Sequence, residues 1–149
     1  MFDYLKSMIT TKTNEQDNPQ KKLEVATCAL FYEMARADEK FSENEHEMII
    51  SIMKKRFELE NEEVNELISR TEESVKESVS IYEYTTLIDD NFSRYEKLEL
   101  MKNLWRLIYT DKKLDKYEDN LIKRIGDMLK LEHKEVIEAK LVVKGELGL

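Results

Sequence analysis

The chain has 149 residues, 41% of them hydrophobic and 38% charged, and 32 acidic against 24 basic side chains give a net charge of −8. Three glycines and one proline are too few for a turn-rich sandwich, barrel or propeller, so the composition favours a single, mostly helical domain. The acidic balance argues against nucleic-acid binding, which needs clustered lysine and arginine. A sole cysteine, Cys28, excludes an intramolecular disulfide and fits a reducing cytoplasm.

The N-terminal 18 residues differ in pattern from the rest of the chain. Phe2, Leu5, Met8 and Ile9 have helical spacing, and the polar run over residues 10–18 is typical of a linker. This amphipathic arm has two open interpretations: it packs on the domain of residues 19–149, or it makes weak peripheral contact with a membrane. No run approaches the roughly 18 to 20 apolar residues that span a bilayer, and no signal peptide is recognisable. We therefore expect a soluble cytoplasmic protein, with membrane association limited to the arm.

Helix start signals and apolar spacings of three and four predict an all-α single bundle of about seven or eight helices, with no sheet. Asn18 precedes Pro19, a typical first helical residue, and Asn61 is predicted to cap a later helix. The last helix is predicted from about Lys134 to Leu147. Four capping boxes of the form Ser/Asp-x-x-Glu predict further helix starts, at Ser42 with Glu45, Ser80 with Glu83, Ser93 with Glu96, and Asp115 with Glu118.

An internal similarity relates two segments of the chain, residues 37–45 and 110–118. It continues beyond the motif, because further apolar and acidic positions match, the later ones after a one-residue deletion. The spacing predicts a pseudo-twofold repeat in which each unit is a helix, a short acidic loop, a capped helix and a further helix. The matched pairs are Ile49 with Ile122, Ile52 with Ile125, Leu59 with Leu131, Glu63 with Glu135, and Val64 with Val136.

The shared motif is Asp-x-x-apolar-(Ser/Asp)-x-x-Glu, and helix capping explains all of its polar residues except the first aspartate. Asp38 and Asp111 are predicted at helix C-termini, where a carboxylate opposes the helix dipole. Three compensations remain open: amides of the next helix, a lysine such as Lys40 or Lys113, or a bound cation.

A cation held by these oxygen ligands would be Ca²⁺ or Mg²⁺ rather than zinc. The first loop is not an EF-hand, because Lys40 and Ile49 stand where that motif needs carboxylates. One loop offers only two or three ligands, so a credible site requires the two loops to converge. The candidate metal residues are Asp38, Ser42, Glu45, Asp111, Asp115 and Glu118.

Residues 35–38 and 41–45 resemble the motif Ala-x-Ala-Asp-Gly-x-(Ile/Val)-(Ser/Asp)-x-x-Glu of the tellurite-resistance TerB-like family, also found at the N-terminus of DjlA-type co-chaperones. A weaker copy spans Asp111 to Glu118, and the start Met-Phe-Asp-x-Leu-Lys is similar too. The likeness covers roughly Leu23 to Val136. It implies an all-α bundle with pseudo-twofold repeats, an acidic surface proposed to bind metal ions, and a role in stress response through protein partners. The family's glycine after the aspartate is Glu39 here, and Lys112 in the second copy.

Enzymatic motifs are lacking, because the three glycines form no phosphate loop and the two histidines no zinc motif. We expect His46 and His133 to be solvated, and Trp105 and Tyr109 to belong to the core or the repeat interface. The favoured hypothesis is a non-enzymatic, TerB-like binding module of the stress response that holds a divalent cation. The alternative is a metal-independent helical adaptor that docks a protein partner or a membrane surface.

Overall fold

The computed structural model describes residues 18–37, 41–77, 80–111 and 114–149. Residues 1–17 of the N-terminal arm and linker, and Asp38, lie outside them. The described residues contain seven α-helices, one 3-10 turn and no strand, which confirms the predicted all-α bundle. The elements are α1 (Pro19–Arg36), α2 (Glu43–Phe57), α3 (Asn61–Lys76), α4 (Ile81–Asn91), α5 (Arg94–Ile108), the 3-10 helix (Tyr109–Asp111), α6 (Lys116–Met128) and α7 (His133–Leu147).

Helix α1 is the centre of the bundle and packs against α2, α3, α4, α5 and α6. Its residues Cys28, Ala29, Leu30 and Phe31 are fully buried because neighbours surround the helix. Cys28 is therefore part of the core, as predicted for a small apolar side chain in this stretch.

The predicted helix starts are mostly confirmed by their hydrogen bonds. The Asn18 side chain accepts from the amides of Gln20 and Lys21, and Pro19 is the first helical residue. Reciprocal capping boxes form at Ser42, Ser93 and Asp115, each with the glutamate three residues later. These signals are local in sequence, so tertiary packing leaves them unchanged.

Two predicted caps are wrong in detail. Helix α3 is capped by Glu60 rather than Asn61, because the Glu60 amide donates to the Glu63 carboxylate at 2.8 Å. The Asn61 side chain instead accepts a hydrogen bond from Lys54 at the end of α2. Ser80 does cap α4, but its hydroxyl accepts from the amide of Tyr82, and a reciprocal box with Glu83 is not part of this cap.

The two halves of the chain form the predicted repeat, α1–α2–α3 and α5–α6–α7. Within each half, all three pairs of helices pack on one another. The matched isoleucines of α2 and α6 are all buried, as are Val64 and Val136. Equivalent turns follow the two middle helices: Glu58 has a φ of 54° and Lys130 a φ of 62°. The same 3.0 Å bond closes both turns, from Leu59 to the Lys54 carbonyl and from Leu131 to the Gly126 carbonyl.

Helix α4 ties the halves together. It leads directly into α5, yet it packs on α1 and on α6. The Tyr84 hydroxyl lies 2.7 Å from the Ser74 hydroxyl of α3, and the Thr85 hydroxyl lies 3.3 Å from the Met128 sulfur of α6. The first half therefore receives one of its covering helices from the segment that begins the second half.

Candidate functional site

The first acidic loop ends in a complete capping box. The Glu45 amide donates to the Ser42 hydroxyl at 3.1 Å, and the Ser42 amide donates to Glu45 Oε1 at 2.9 Å. Ser42 is exposed, whereas Glu45 is only 3% exposed. The backbone amide of the exposed Ser42 therefore holds the carboxylate of the buried Glu45 at the edge of the core.

The second acidic loop repeats this geometry with an aspartate at the cap. The Glu118 amide donates to Asp115 Oδ1 at 2.9 Å, and the Asp115 amide donates to Glu118 Oε1 at 3.2 Å. Asp115 is half-buried, and Glu118 is again only 3% exposed. A buried glutamate in the third position of a capped helix is therefore a shared property of the two repeats.

Each loop begins against the other repeat. The 3-10 helix that leads to the second loop packs on α2. Ala37, the last described residue before the first loop, lines a surface cavity with Leu121 and Arg124 of α6. The helix that carries Glu45 therefore packs on the 3-10 helix of the other half, and the helix that carries Glu118 packs on α1, as a pseudo-twofold arrangement requires.

The predicted metal residues are only partly described. Asp111 ends the 3-10 helix, and Asp38 lies outside the described residues. Among the described residues, no group of three or more histidine, cysteine, aspartate or glutamate side chains is arranged to hold a metal ion. The six-residue site therefore stays a prediction.

A family model described as Tellurite resistance protein TerB matches residues 24–141. The chain belongs to the TerB family. The match starts in α1 and ends in α7, so the TerB unit contains both repeats and both acidic loops. Comparisons with curated proteins and with solved structures gave no match.

Aromatic side chains support the second loop of this TerB domain. Tyr109 stacks on Trp105, with ring centroids 6.0 Å apart, and both rings are buried as predicted. Burial raises the pKa of Tyr109, and the negative charges of Asp119 and Glu118 raise it further. Tyr109 is therefore neutral, and the field that it experiences comes from the start of α6.

The first loop has a different aromatic support, and one of its residues contradicts the expectation from sequence. His46 is half-buried rather than solvated, with its ring centroid 5.9 Å from that of Phe41 and 6.5 Å from that of Tyr32. Phe41 precedes the cap residue and His46 is the fourth helical residue, which is the spacing of a hydrophobic staple. That spacing was the available signal for this contact. His133 is exposed, as expected.

In the part of this TerB chain that the structure describes, no helix is long and apolar enough to cross a bilayer.

Proposed function

We propose that this TerB domain is a non-enzymatic binding module of the bacterial stress response that holds a divalent cation, Ca²⁺ or Mg²⁺, between its acidic loops. The ligands would be carboxylates of both loops, and Ser42 and Asp115 would assist at the caps. The observation that carries the proposal is the reciprocal packing: α1, which leads to the first loop, packs on α6, and the 3-10 helix, which leads to the second loop, packs on α2. The pooled carboxylates are those of Asp38, Glu45, Asp111 and Glu118.

The chemistry of this ligand set favours a hard cation. Carboxylate and hydroxyl oxygens suit Ca²⁺ and Mg²⁺, and Ca²⁺ takes about six to eight oxygen ligands. Combining two loops supplies the ligand number that one loop lacks. Binding would offset the unfavourable position of Asp38 and Asp111 at the ends of their helices. A protein partner would then bind this surface when the cation is present.

The test is the double variant Asp38→Asn with Asp111→Asn, which removes two charges and keeps side-chain shape. If the loops converge, the parent gains stability in millimolar Ca²⁺ or Mg²⁺, by about 2.7 kcal/mol at a hundredfold excess of ion over Kd. The variant gains none, and without metal it is at least as stable as the parent because like charges no longer repel. Thermal melts in chelator and in each ion measure both effects.

A matched control replaces two exposed aspartates outside the loops, Asp90→Asn with Asp127→Asn, and should keep the response to ion. A parent that melts at the same temperature in every divalent ion, with a double variant destabilised in chelator, would reject the cation site. The aspartates would then be structural acceptors, each contributing on the order of 1 kcal/mol through charge-assisted hydrogen bonds.

A further inference from the structure

The pseudo-twofold arrangement leaves one helix position empty among the described residues. Helix α4 covers the first half by lying on α1 and α6. The equivalent surface of the second half lies between α5 and α2, and there a cavity of about 660 Å³ is open. We call it the α2–α5 groove, and its lining includes Met48, Ser51, Lys55, Tyr95, Glu99, Arg106 and Glu146.

The α2 side of the groove corresponds to the α6 side of the α4 contact. Leu121 and Arg124 lie beside Ile81 at the start of α4, and Met128 contacts Thr85 one turn later. Helix α4 therefore runs parallel to α6. Subtracting the repeat offset (111 − 38 = 73) from these three α6 positions gives three residues that all line the groove: Met48, Ser51 and Lys55.

In the same way, the α5 side of the groove corresponds to the α1 side of the α4 contact. Lys22 and Ala26 lie beside Tyr84 and Leu87, whereas Glu33 lies beside Ile81, so α4 runs antiparallel to α1. Adding the same offset to Lys22, Ala26 and Glu33 gives Tyr95, Glu99 and Arg106, all in the groove. Ser74, which contacts Tyr84, corresponds to Glu146 after the one-residue deletion. The groove is thus a copy of the contact surface for α4 that none of the described residues fills.

The sequence contains a segment with the apolar spacing of α4. Four hydrophobic residues of α4 are buried or half-buried, and they are Ile81, Tyr84, Leu87 and Ile88. The N-terminal arm carries apolar residues at the same four relative positions, each 79 residues earlier (81 − 2 = 79). These residues are Phe2, Leu5, Met8 and Ile9.

The position of the arm in the chain also matches. Helix α4 directly precedes α5, the first helix of the second repeat, and the arm directly precedes α1, the first helix of the first repeat. Only Phe92 and Ser93 separate α4 from α5. By the same symmetry, two residues are enough to connect the last residue of a helix bound in the groove to Asn18 at the start of α1. The arm has the nine residues 10–18 for this connection, so its length is ample.

We propose that residues 2–9 bind as a helix in the α2–α5 groove of their own chain, as α4 binds between α1 and α6. The groove is more polar than the cradle of α4, because Glu99 and Asn103 stand where α1 has Ala26 and Leu30. A helix in the groove therefore buries less apolar surface than α4 does, so the arm binds less tightly and exchanges with the undocked state.

The test places a nitroxide spin label on Ser7→Cys in the full chain and measures the NMR intensities of backbone amides. Ser7 corresponds to Thr86, which is exposed on α4, so a label there faces solvent and does not block docking. Cys28 is buried and stays unlabelled in the folded protein. We expect strong broadening of the amides of Ser51 and Asn103 and no broadening of Ser69 on the outer side of α3.

Arm variants supply the matched comparison. Phe2→Ser with Leu5→Ser removes half of the apolar stripe and should restore the groove intensities. Tyr4→Ser should leave the broadening unchanged, because Tyr4 corresponds to Glu83, which is exposed on α4.

Several outcomes would overturn the proposal. One is a groove that keeps its intensities, and another is broadening that centres on a different face, such as Leu141 on the outer side of α7. Broadening in a mixture of spin-labelled chains and separately isotope-labelled chains would assign the groove to the arm of a second copy. Arm signals that change only when anionic lipid vesicles are added would assign the arm to a membrane surface.

Discussion

Tyr32 and Trp105 occupy the same position in the two repeats, but their polar atoms differ in hydrogen bonding. The Trp105 indole donates a 3.0 Å hydrogen bond to the carbonyl of Val136. The Tyr32 hydroxyl is buried and has no hydrogen-bond partner among the described residues. A buried hydroxyl without a hydrogen-bond partner costs about 1 to 3 kcal/mol of desolvation. Among the described residues, the polar atom at this position is therefore hydrogen-bonded in the second repeat and not in the first.

Removing the Tyr32 hydroxyl should therefore be harmless. We expect Tyr32→Phe to leave the free energy of unfolding unchanged or to raise it by up to about 1 kcal/mol, because the ring keeps its edge contact with Phe41. Tyr84→Phe is the control and should cost about 1 kcal/mol, since it breaks the bond to Ser74. Urea denaturation measures both. A Tyr32→Phe variant as destabilised as the control would reveal a partner for this hydroxyl.

Gly126 allows α6 and α7 to approach closely. A Cβ atom at this position would lie 2.6 Å from Cγ2 of Val136, a short branched side chain that cannot move without disturbing α7. We expect Gly126→Ala to destabilise the domain by about 1 to 3 kcal/mol through overpacking.

Gly145 is the matched control, because it is helical and exposed, and a Cβ atom added there would meet nothing within 4 Å beyond the backbone of its own helix. Gly145→Ala should stabilise the domain by about 0.5 to 1 kcal/mol through helix propensity alone. Thermal melts of the two variants should therefore shift in opposite directions. Equal shifts would mean that the α6–α7 spacing is adjustable.

Asp89 links three parts of the fold, because its two carboxylate oxygens accept hydrogen bonds from Lys97 and Lys130. The bond from Lys130 and then that from Lys97 lower the pKa of Asp89. A lowered pKa in the folded state contributes stability that is complete above the unfolded value of about 3.9 and is lost as pH falls through the folded value.

We therefore expect the stability difference between the parent and Asp89→Asn to be constant from about pH 7 to pH 5 and to shrink below about pH 4. Urea midpoints measured across this range give the difference at each pH. Asp90→Asn, a change at an exposed neighbour, is the comparison. A difference that keeps its size at pH 2 would show that Asp89 acts through its shape rather than its charge.

Cys28 should be unreactive in the folded protein. Burial raises the pKa of its thiol to about 12, although a hydrogen bond with Thr71 acts in the opposite direction. Because the thiolate is the reactive form, we expect alkylation by iodoacetamide at pH 8 to occur only after unfolding and to speed up with urea. Fast alkylation under native conditions would show that α1 opens locally near α3.

The features that sequence predicted well are those set within a few residues. The capping boxes at Ser42, Ser93 and Asp115 and the matched isoleucines follow from local hydrogen bonds and helical periodicity. The cap of α3 was missed because Lys54, seven residues away, holds Asn61, which leaves Glu60 to end the turn. His46 was missed because one partner ring, that of Tyr32, comes from another helix, and because the local staple spacing to Phe41 was not used.

The candidate site shows the same division. The sequence alone predicted which residues of each loop would cap a helix, because those bonds span three positions. The packing of the 3-10 helix on α2 could not be predicted, since it depends on how the halves are arranged in three dimensions. The placement of α4 on α1, a helix more than 40 residues earlier in the chain, had no local signal either.

The placement of α4 also decides what a single repeat could do alone. If the chain were divided before Ser80, the first half would lose α4 and would expose the side of α1 that α4 covers, where Ala26 lies beside Tyr84 and Leu87. Such a fragment contains no copy of α4, so its own described helices offer no replacement for that helix. We therefore expect the first half alone to be less stable than it is in the full chain, and its stability to recover when α4 is supplied by the same chain or as a separate peptide.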